Sequence, residues 1–502
     1  MNKREIANLL ENYFPDNKLI LLSNRQPYVH KATPRGFVCE MQAGGVAIAL
    51  DPVMKMVGGT WIAWGSGNLD RKFVDQKDRV KVPPQDPKYT LRRVWLTEEE
   101  VENYYLGFSN RSLWPWAHNL CGEVVFRRKF WNFYKKVNQH FTQVALDEIE
   151  NKKSVIWVND YQLALVPQQL REKSKGQMII FFWHIPWPNY DVFCILPNRK
   201  EFLEGLLGSD LLGFHTSNFC QNFLTCVEKE LEAEVDFESS TVRFKDHITK
   251  VEAFPISIDF EYFSSLAGSK ETRAMLVKLR NRFKLDNTIL GLSVDRLDYT
   301  KGIPEKLKAL ELFFERYPRY QGKFIFVQIA APSRTKIKAY RELREEVIKL
   351  VNQINQKYEK KNWQPLVFIN RLVDHKTLSV YYRLADLAII SSVRDGMNLV
   401  AKEFIASQID QKGILCLSEF AGAYEEMEHS IPLNPYYTEG FADAINRAIE
   451  LPLERKKERI KKMRNYIKEY DIYKWTYDIF RSLSQMLIPK PKKDFDEAFI
   501  PK

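Results

Sequence analysis

Short apolar runs of four to eight residues, rich in β-branched and aromatic side chains, alternate along this chain with longer stretches of helical periodicity. The first series is LILLS (19 to 23), TWIAW (60 to 64), SVIWV (154 to 158), MIIFFWH (178 to 184) and DLLGFH (210 to 215). The rhythm returns in KVEAF (250 to 254), ILGLSV (289 to 294), KFIFVQIA (323 to 330), LVFI (366 to 369), DLAIISS (386 to 392) and ILCLS (414 to 418). Continuous apolar strands separated by helices predict parallel sheets covered on both faces. Two such series predict an α/β protein of two doubly wound, Rossmann-like domains facing a central cleft. The expected units are 1 to 260 and 261 to 488, with the boundary near 255 to 285 after FPISID, and a tail of 489 to 502. In open α/β sheets ligands bind beyond the carboxyl ends of the strands, so the polar residues that follow each run are the candidates for function.

Composition narrows this picture without redirecting it. A 502-residue chain that is 45% hydrophobic can bury a large core. The net charge of +11 would attract nucleic acid, an anionic membrane or acidic small molecules. Much of the excess lies in ERKKERIKKMRNYIKE (454 to 469), where charges recur around a helix that is apolar on one side, the pattern of a solvated helix face. The six cysteines form no CxxC and no Cys/His ligand spacing, so neither a zinc site nor a disulfide framework is expected. The opening MNKREIANLLENYF reads as an amphipathic helix rather than a signal peptide, and MIIFFWHIPW (178 to 187) is too short to span a bilayer. The expectation is a cytoplasmic protein with no nucleic-acid and no membrane partner, and a homo-oligomer stays open. The Pro- and Lys-rich tail PKPKKDFDEAFIPK is expected to be poorly ordered. Its Asp-Phe-Asp (494 to 496) has a metal-ligand spacing, but no strand precedes it and it reads as chance.

Two strand-loop-helix segments carry candidate chemistry. VRDGMNLVAKEF (393 to 404) follows an apolar run with a glycine turn and then a helix, whose unpaired N–H groups and positive dipole end suit an anionic diphosphate. Asp395 and Gly396 sit at the loop tip, where a carboxylate and bare backbone can grip sugar hydroxyls, and Glu403 lies one turn into the helix, where a carboxylate can accept both hydroxyls of a ribose. In SVDRLDYTKG (293 to 302), Arg296 and Lys301 are two cations at the mouth of a cleft, suited to the charge that develops on a departing phosphate. The competing readings are an ordinary helix cap for the first segment and surface ion pairs with Asp295 or Asp298 for the second.

Taken in order, DRLDYTKG, APSR (331 to 334), RDGMNLVAKE (394 to 403) and SEFAGA (418 to 423) resemble the carboxyl-terminal half of the trehalose-6-phosphate synthase family. The resemblance extends upstream through SNR (23 to 25), GG (44 to 45), YYLGFSN (104 to 110), LWP (113 to 115), NDYQL (159 to 163), FFWHIPWP (181 to 188) and DLLGFHT (210 to 216), covering 20 to 480. It implies a GT-B glycosyltransferase fold, with the nucleotide-sugar on the second domain, the acceptor on the first, and final helices that cross back, DIYKWTYDIF (471 to 480) being the candidate. The implied activity is transfer of glucose from a nucleotide-sugar, expected to be UDP-glucose, to glucose 6-phosphate.

Residue by residue, the resemblance implies that Arg296 and Lys301 bind the donor diphosphate and Glu403 the ribose. Asp395 would hold glucose hydroxyls, with the backbone of Gly396, Met397 and Asn398, while Leu399 and Val400 offer helix-start N–H groups. Val373, Ala401 and Lys402 complete the donor set, and Gly44 and Gly45 approach from the other domain. Arg25, Tyr105 and Arg334 would surround the acceptor phosphate, a sensible cage of two guanidinium forks and a phenol. Trp114 and Asp160 would line the acceptor sugar, and His184 the transferred glucose. The family reaction retains anomeric configuration, and the resemblance suggests a front-face substitution with Arg296, Lys301, Asp395 and His184 as the catalytic set, no cofactor and no metal. The chain departs from the family pattern where His-Asp-Tyr-His-Leu becomes Asn159-Asp160-Tyr161-Gln162-Leu163, in HNLCGEVVFRRKFW (118 to 131), and in the insertion at 68 to 93. These departures lie in the acceptor half, so a glucosylglycerol-phosphate synthase using glycerol 3-phosphate stays open as an alternative. An inactive sugar-phosphate-binding regulator is a more distant one.

Overall fold

The structure is a computed structural model and describes residues 3–14, 18–34, 36–42, 45–150, 153–285, 288–360 and 363–487. The tail from 489 onward, with its Asp-Phe-Asp, and Gly44 therefore lie outside the described residues.

Both strand series form sheets, but the two sheets differ. The second is a six-stranded parallel sheet in the order Leu366–Ile369, Phe324–Ala331, Ile289–Arg296, Leu387–Ile390, Ile414–Ser418, Ile431–Leu433. The first has ten strands, and the five expected runs form its parallel centre as Leu211–Phe214, Met178–Phe182, Ser154–Asn159, Lys18–Arg25 and Thr60–Trp64; two further parallel strands extend it, His247–Ala253, which had opened the second series, and Tyr89–Val94, from the insertion. Its margins are antiparallel: Arg79–Val82 closes one edge, and Glu234–Asp236 with Thr241–Phe244 closes the other. The expectation of wholly parallel sheets is thus corrected at these edges. They carry charged, outward-facing residues that blunt further strand pairing and hide them from a search for apolar runs. A separate hairpin, Tyr28–Thr33 with Gly36–Met41, stands off the first sheet.

The core around the first sheet is aromatic in two clusters, one with Trp61 and Trp157 and the other with Trp116, Trp183 and Trp187, all fully buried. The closing helix Ile472–Gln485 packs on this sheet and not on the second: Trp475 lies 5.4 Å from Trp157 and 5.0 Å from Phe182, and its Nε1 donates to Phe254 O at 3.1 Å. Asp471 caps that helix by accepting from the N–H groups of Tyr473 and Lys474, each at 3.0 Å. The basic helix Leu453–Glu469 buries only Ile460, Met463 and Ile467, which leaves its charged side facing water.

Candidate functional site

The carboxyl ends of both parallel sheets meet across a cleft, and nearly every residue singled out above stands on it. On the second sheet, the loop after Ile289–Arg296 is bound to the loop after Leu387–Ile390. Val393 N donates to Thr300 O at 2.9 Å, and Ser391 Oγ donates to the carbonyls of Lys301 and Gly302, each at 3.0 Å. Gly302 is required at this junction, since its φ is +59° and a Cβ would stand 2.1 Å from Ser391 O. The loop 395–398 is fastened in turn to 420–423: Asp395 N donates to Phe420 O at 3.1 Å and Ala423 N to Met397 O at 2.8 Å. Gly396 has no room for a side chain, because a Cβ would lie 2.5 Å from His184 O on the opposite sheet.

These bonds set two opposite charges side by side. Lys301 Nζ donates to Asp395 Oδ2 at 2.5 Å, and the same carboxylate accepts from Asn398 Nδ2 at 3.0 Å and Ser392 Oγ at 3.1 Å. Burial pushes the Asp395 carboxyl up, but Lys301 overcomes it and holds the group at about 2. The partner of Lys301 is therefore Asp395, not Asp295 or Asp298; Asp295 is taken by the buried Lys306 at 2.9 Å. Asn398, at φ +87°, caps the helix Leu399–Ser407 by accepting from Ala401 N at 3.2 Å. Ala401 N–H is thus used within the protein, whereas Leu399 and Val400 hold first-turn N–H groups with no partner along the helix. Lys402, of the expected donor set, has a fully buried side chain that donates to Ile256 O at 2.8 Å and pairs with Glu426 at 2.6 Å, which leaves its main chain as the part that could meet a ligand. Glu403 is buried and accepts from Tyr382 OH at 2.8 Å, with burial raising its carboxyl. Val373 is half-buried in the loop before His375–Leu384. Gly45 opens the helix Gly45–Val57 across the cleft, where an added Cβ would lie 3.7 Å from Leu399 Cδ1.

A second cluster is assembled from side chains of separate segments. At the end of the first strand, Ser23 Oγ donates to Arg25 O at 2.8 Å, Asn24 Oδ1 accepts from Tyr104 OH at 2.9 Å, and Arg25 Nη2 donates to Tyr105 OH at 2.7 Å. Both tyrosines stand on Val101–Leu113, a π-helical stretch, a form that is rare and frequent at functional sites. Burial raises the Tyr105 phenol, yet Arg25, Arg334 and Arg296 together bring it below its ordinary value, so three guanidinium charges converge on this hydroxyl. Arg334, at φ +44°, comes from the other sheet. Its Nη1 donates to Asp298 Oδ2 at 2.7 Å and to Tyr340 OH at 2.5 Å, its Nη2 reaches Tyr161 OH at 3.4 Å, and its Nε is buried with no hydrogen-bond partner. Nη1 is thus anchored, while Nε keeps an unpaired donor of the kind an anion would satisfy.

Trp114 is 5% exposed, donates Nε1 to Asp298 Oδ1 at 3.3 Å, and lies 4.1 Å from the Arg334 guanidinium, 5.1 Å from that of Arg296 and 4.3 Å from the His118 ring. It orients the two arginines and leaves little open surface for a sugar. Arg296 is half exposed and only 3.9 Å from Asp298. Asp160, at φ +77°, accepts from Tyr161 N at 3.0 Å and His184 N at 3.2 Å; burial outweighs these bonds and the nearby Arg296 and Arg334, raising the carboxyl to about 7. His184 bonds Asn159 through Nε2 at 3.0 Å.

Sequence reasoning passed over Asp298, His118, Tyr161 and Tyr340. Asp298 is fully buried and binds Arg334, Trp114, Tyr340 and Thr300, joining the two halves of the site. Burial raises its carboxyl, and Arg334, Arg296 and Lys301 overcome that and hold it ionised. Its signal was its place in DRLDYTKG; Tyr340, inside a long helix, had none. Among the described residues no group of three or more His, Cys, Asp and Glu side chains is placed to hold a metal ion, and no helix is long and apolar enough to cross a membrane.

Comparison with known proteins places the chain in a family. Glycosyltransferase family 20 matches residues 17–485. The chain is 36% identical over 476 residues to the α,α-trehalose-phosphate synthase [UDP-forming] 2 of Aspergillus niger, covering 94% of this chain and 97% of that protein. It is 34% identical to α,α-trehalose-phosphate synthase [UDP-forming] A of Dictyostelium discoideum over 93% of its own length, and spans 62% of that longer protein. Among solved structures, an E. coli protein bound with UDP-2-fluoro glucose superposes with a TM-score of 0.84 at 32% identity, over 94% of this chain and all of that one. A UDP-forming α,α-trehalose-phosphate synthase from Burkholderia xenovorans in complex with glucose-6-phosphate gives 0.82 at 30%, over 93% of this chain and 100% of that one.

Proposed function

The chain belongs to glycosyltransferase family 20, and we propose that it transfers glucose from UDP-glucose to glucose 6-phosphate with retention of configuration, releasing UDP and α,α-trehalose 6-phosphate. The observation that carries this reading is the Arg334 guanidinium, anchored on Asp298 through Nη1 and left with a buried Nε that has no partner, beside the Arg25–Tyr105 pair of the first domain. That is the arrangement a phosphate monoester on the acceptor calls for.

On the donor side the diphosphate lies between Arg296, Lys301 and the first N–H groups of the helix Leu399–Ser407. The ribose hydroxyls take the free oxygen of Glu403, and the glucose takes Asp395 and the backbone after it. As the bond from C1 to the diphosphate lengthens, negative charge grows on the leaving oxygen, where Arg296 and Lys301 already stand and no solvent need reorganise. The acceptor hydroxyl attacks from the same face and gives its proton to the leaving oxygen, so the protein contributes position and field. Fixed cations make a metal unnecessary, and no cofactor is needed. All six cysteines are free thiols, which fits the cytoplasm. Small-molecule substrates are the partners, with neither nucleic acid nor membrane engaged.

The test is a product assay with UDP-glucose and ADP-glucose against glucose 6-phosphate and glycerol 3-phosphate. The expected product is trehalose 6-phosphate, from UDP-glucose most readily, and it forms equally after exhaustive treatment with EDTA. A higher kcat/KM for glycerol 3-phosphate would overturn the acceptor assignment, and activity lost to EDTA but restored by magnesium would overturn the metal-free mechanism.

A further inference from the structure

We propose that Asn159 is a positioning residue that holds His184 as the imidazole protonated on Nε2, so that Nδ1 is the acceptor this ring offers to the cleft. The consequence for turnover rests on the glucosyl-transfer reading above; the state of the ring does not.

Asn159 ends the strand Ser154–Asn159 and is fully buried. Its Nδ2 faces two backbone carbonyls, Trp157 O at 3.2 Å and Leu22 O at 3.4 Å, which can only accept. The amide is therefore oriented by the sheet itself, and Oδ1 is turned to His184 Nε2 at 3.0 Å. An amide oxygen cannot donate, so the proton between them belongs to Nε2 and Nδ1 keeps its lone pair.

Of the remaining ring neighbours only His215 can carry a charge, and the structure shows no hydrogen bond between the two rings. Phe182 lies 4.6 Å from it, Trp475 6.5 Å and His215 5.5 Å. His215 donates its own Nε2 proton to His184 O at 3.1 Å. Asp160 engages the backbone N–H of His184 and not the ring, while Lys402 and Asp395 act on His215. Burial, with His215 beside it, keeps His184 well below the ordinary range for a histidine. Where the family pattern reads histidine at this position, a second ionisable ring would face His184; asparagine presents one polarity at every pH. Because His184 O also abuts Gly396, the oriented ring and the donor loop are parts of one packed unit.

The experiment is nitrogen-15 NMR of the full chain labelled at its eight histidines, with the His184 signal assigned by its loss in His184→Gln. The expected wild-type signal is the Nε2–H tautomer, unchanged from about pH 6 to 8. Asn159→Leu removes the acceptor and should give a mixture of tautomers. It should also lower kcat by about 2- to 13-fold, the worth of one neutral hydrogen bond, with the acceptor KM unmoved. Asn159→Asp keeps the acceptor and adds a charge, so it should retain Nε2–H and let His184 take up its second proton at a higher pH than in wild type. An Nδ1–H signal in wild type, or an unmixed Nε2–H signal in Asn159→Leu, overturns the proposal. If Asn159→Leu does not fold, an Asn159→Asp protein in which His184 titrates as in wild type overturns it. The spectra are recorded without substrates, so they stand whether or not glucosyl transfer is observed.

Discussion

The two faces of the cleft are built by opposite means. The face on the second sheet is made of backbone: loops 300–302, 391–398 and 420–423 are tied to one another by main-chain bonds and by glycines whose Cβ would have no room. The face that meets the acceptor is made of side chains. Arg25, Tyr105 and Asp160 come from the first half and Asp298 and Arg334 reach in from the second; Arg25 bonds Tyr105, Arg334 bonds Asp298, and Asp160 accepts from the backbone N–H of His184. A main-chain framework can be disturbed only by a change of shape or the loss of a balancing charge. A side-chain framework can be taken apart one functional group at a time, and each loss should be felt by one substrate.

The largest effect should come from unbalancing the backbone-built face. Lys301→Ala removes a cation from the proposed diphosphate site and also leaves the Asp395 carboxylate without its counter-charge in a low-dielectric setting. We expect kcat to fall about 100- to 1,000-fold, a larger loss than one charged hydrogen bond explains, because Asp395 loses its orientation with its partner. Arg296→Ala supplies the contrast: Arg296 is 47% exposed and 3.9 Å from its nearest carboxylate, so its removal strands no buried charge and should cost about 10- to 150-fold. Steady-state kinetics of the two variants, with thermal unfolding to show that both fold, decides the matter. Equal losses would mean that the Lys301–Asp395 pair adds nothing beyond its positive charge.

A smaller and more selective effect should follow on the other face. Asp298→Asn preserves size and one acceptor oxygen but removes the charge that anchors Arg334. The KM for glucose 6-phosphate should rise about tenfold, as for one charge-assisted bond, while the KM for UDP-glucose changes less than about twofold. Free glucose, which has no phosphate for Arg334 to hold, should react no worse with the variant than with wild type. A parallel rise in both KM values would show that Asp298 braces the whole cleft and not the acceptor fork.

The same contrast governs what could be read before the structure. The central segment of the backbone-built face is one continuous stretch, so strand, glycine, cap and helix appear in order in VRDGMNLVAKEF, and that segment stands where its pattern placed it. The acceptor face is contiguous only in space. Arg25 and Arg334 were marked by following strands, but Asp298 looked like a surface ion-pair partner until its burial against Trp114 was seen. Helical periodicity cannot distinguish a π-helix from an α-helix, so Val101–Leu113 gave no warning of its wider turns. Nor does sequence tell which way Lys402 points: the helix turns its side chain toward Glu426. The antiparallel margins of the first sheet were missed because edge strands such as Arg79–Val82 alternate charged and apolar residues instead of running apolar.

The smallest expected effect compares two carboxyl groups, one from each face, that the protein shifts in opposite directions. Asp395 is held at about 2 against its burial by Lys301, so it stays ionised throughout the working range. Asp160 is raised to about 7, because burial there outweighs the N–H groups of Tyr161 and His184. The ionised form accepts hydrogen bonds from acceptor hydroxyls, whereas the protonated form gives up one of its oxygens. Acceptor kcat/KM should therefore rise about three- to tenfold as pH climbs through about 7, and Asp160→Asn should flatten that limb. The substrate phosphate also titrates near pH 6, and the variant separates the two because it leaves that ionisation in place. Stability should show the same sign. A carboxyl raised in the folded state contributes stability that is complete below its unfolded value and lost as pH rises through about 7, so wild type should lose stability from about pH 4 to 8 by a slope that Asp160→Asn lacks. Asp395, lowered in the folded state, contributes only above its unfolded value and loses that contribution as pH falls toward about 2, so it is silent in the same window. Urea unfolding at each pH reads the slope, and a wild-type profile that Asp160→Asn reproduces would mean that Asp160 titrates elsewhere.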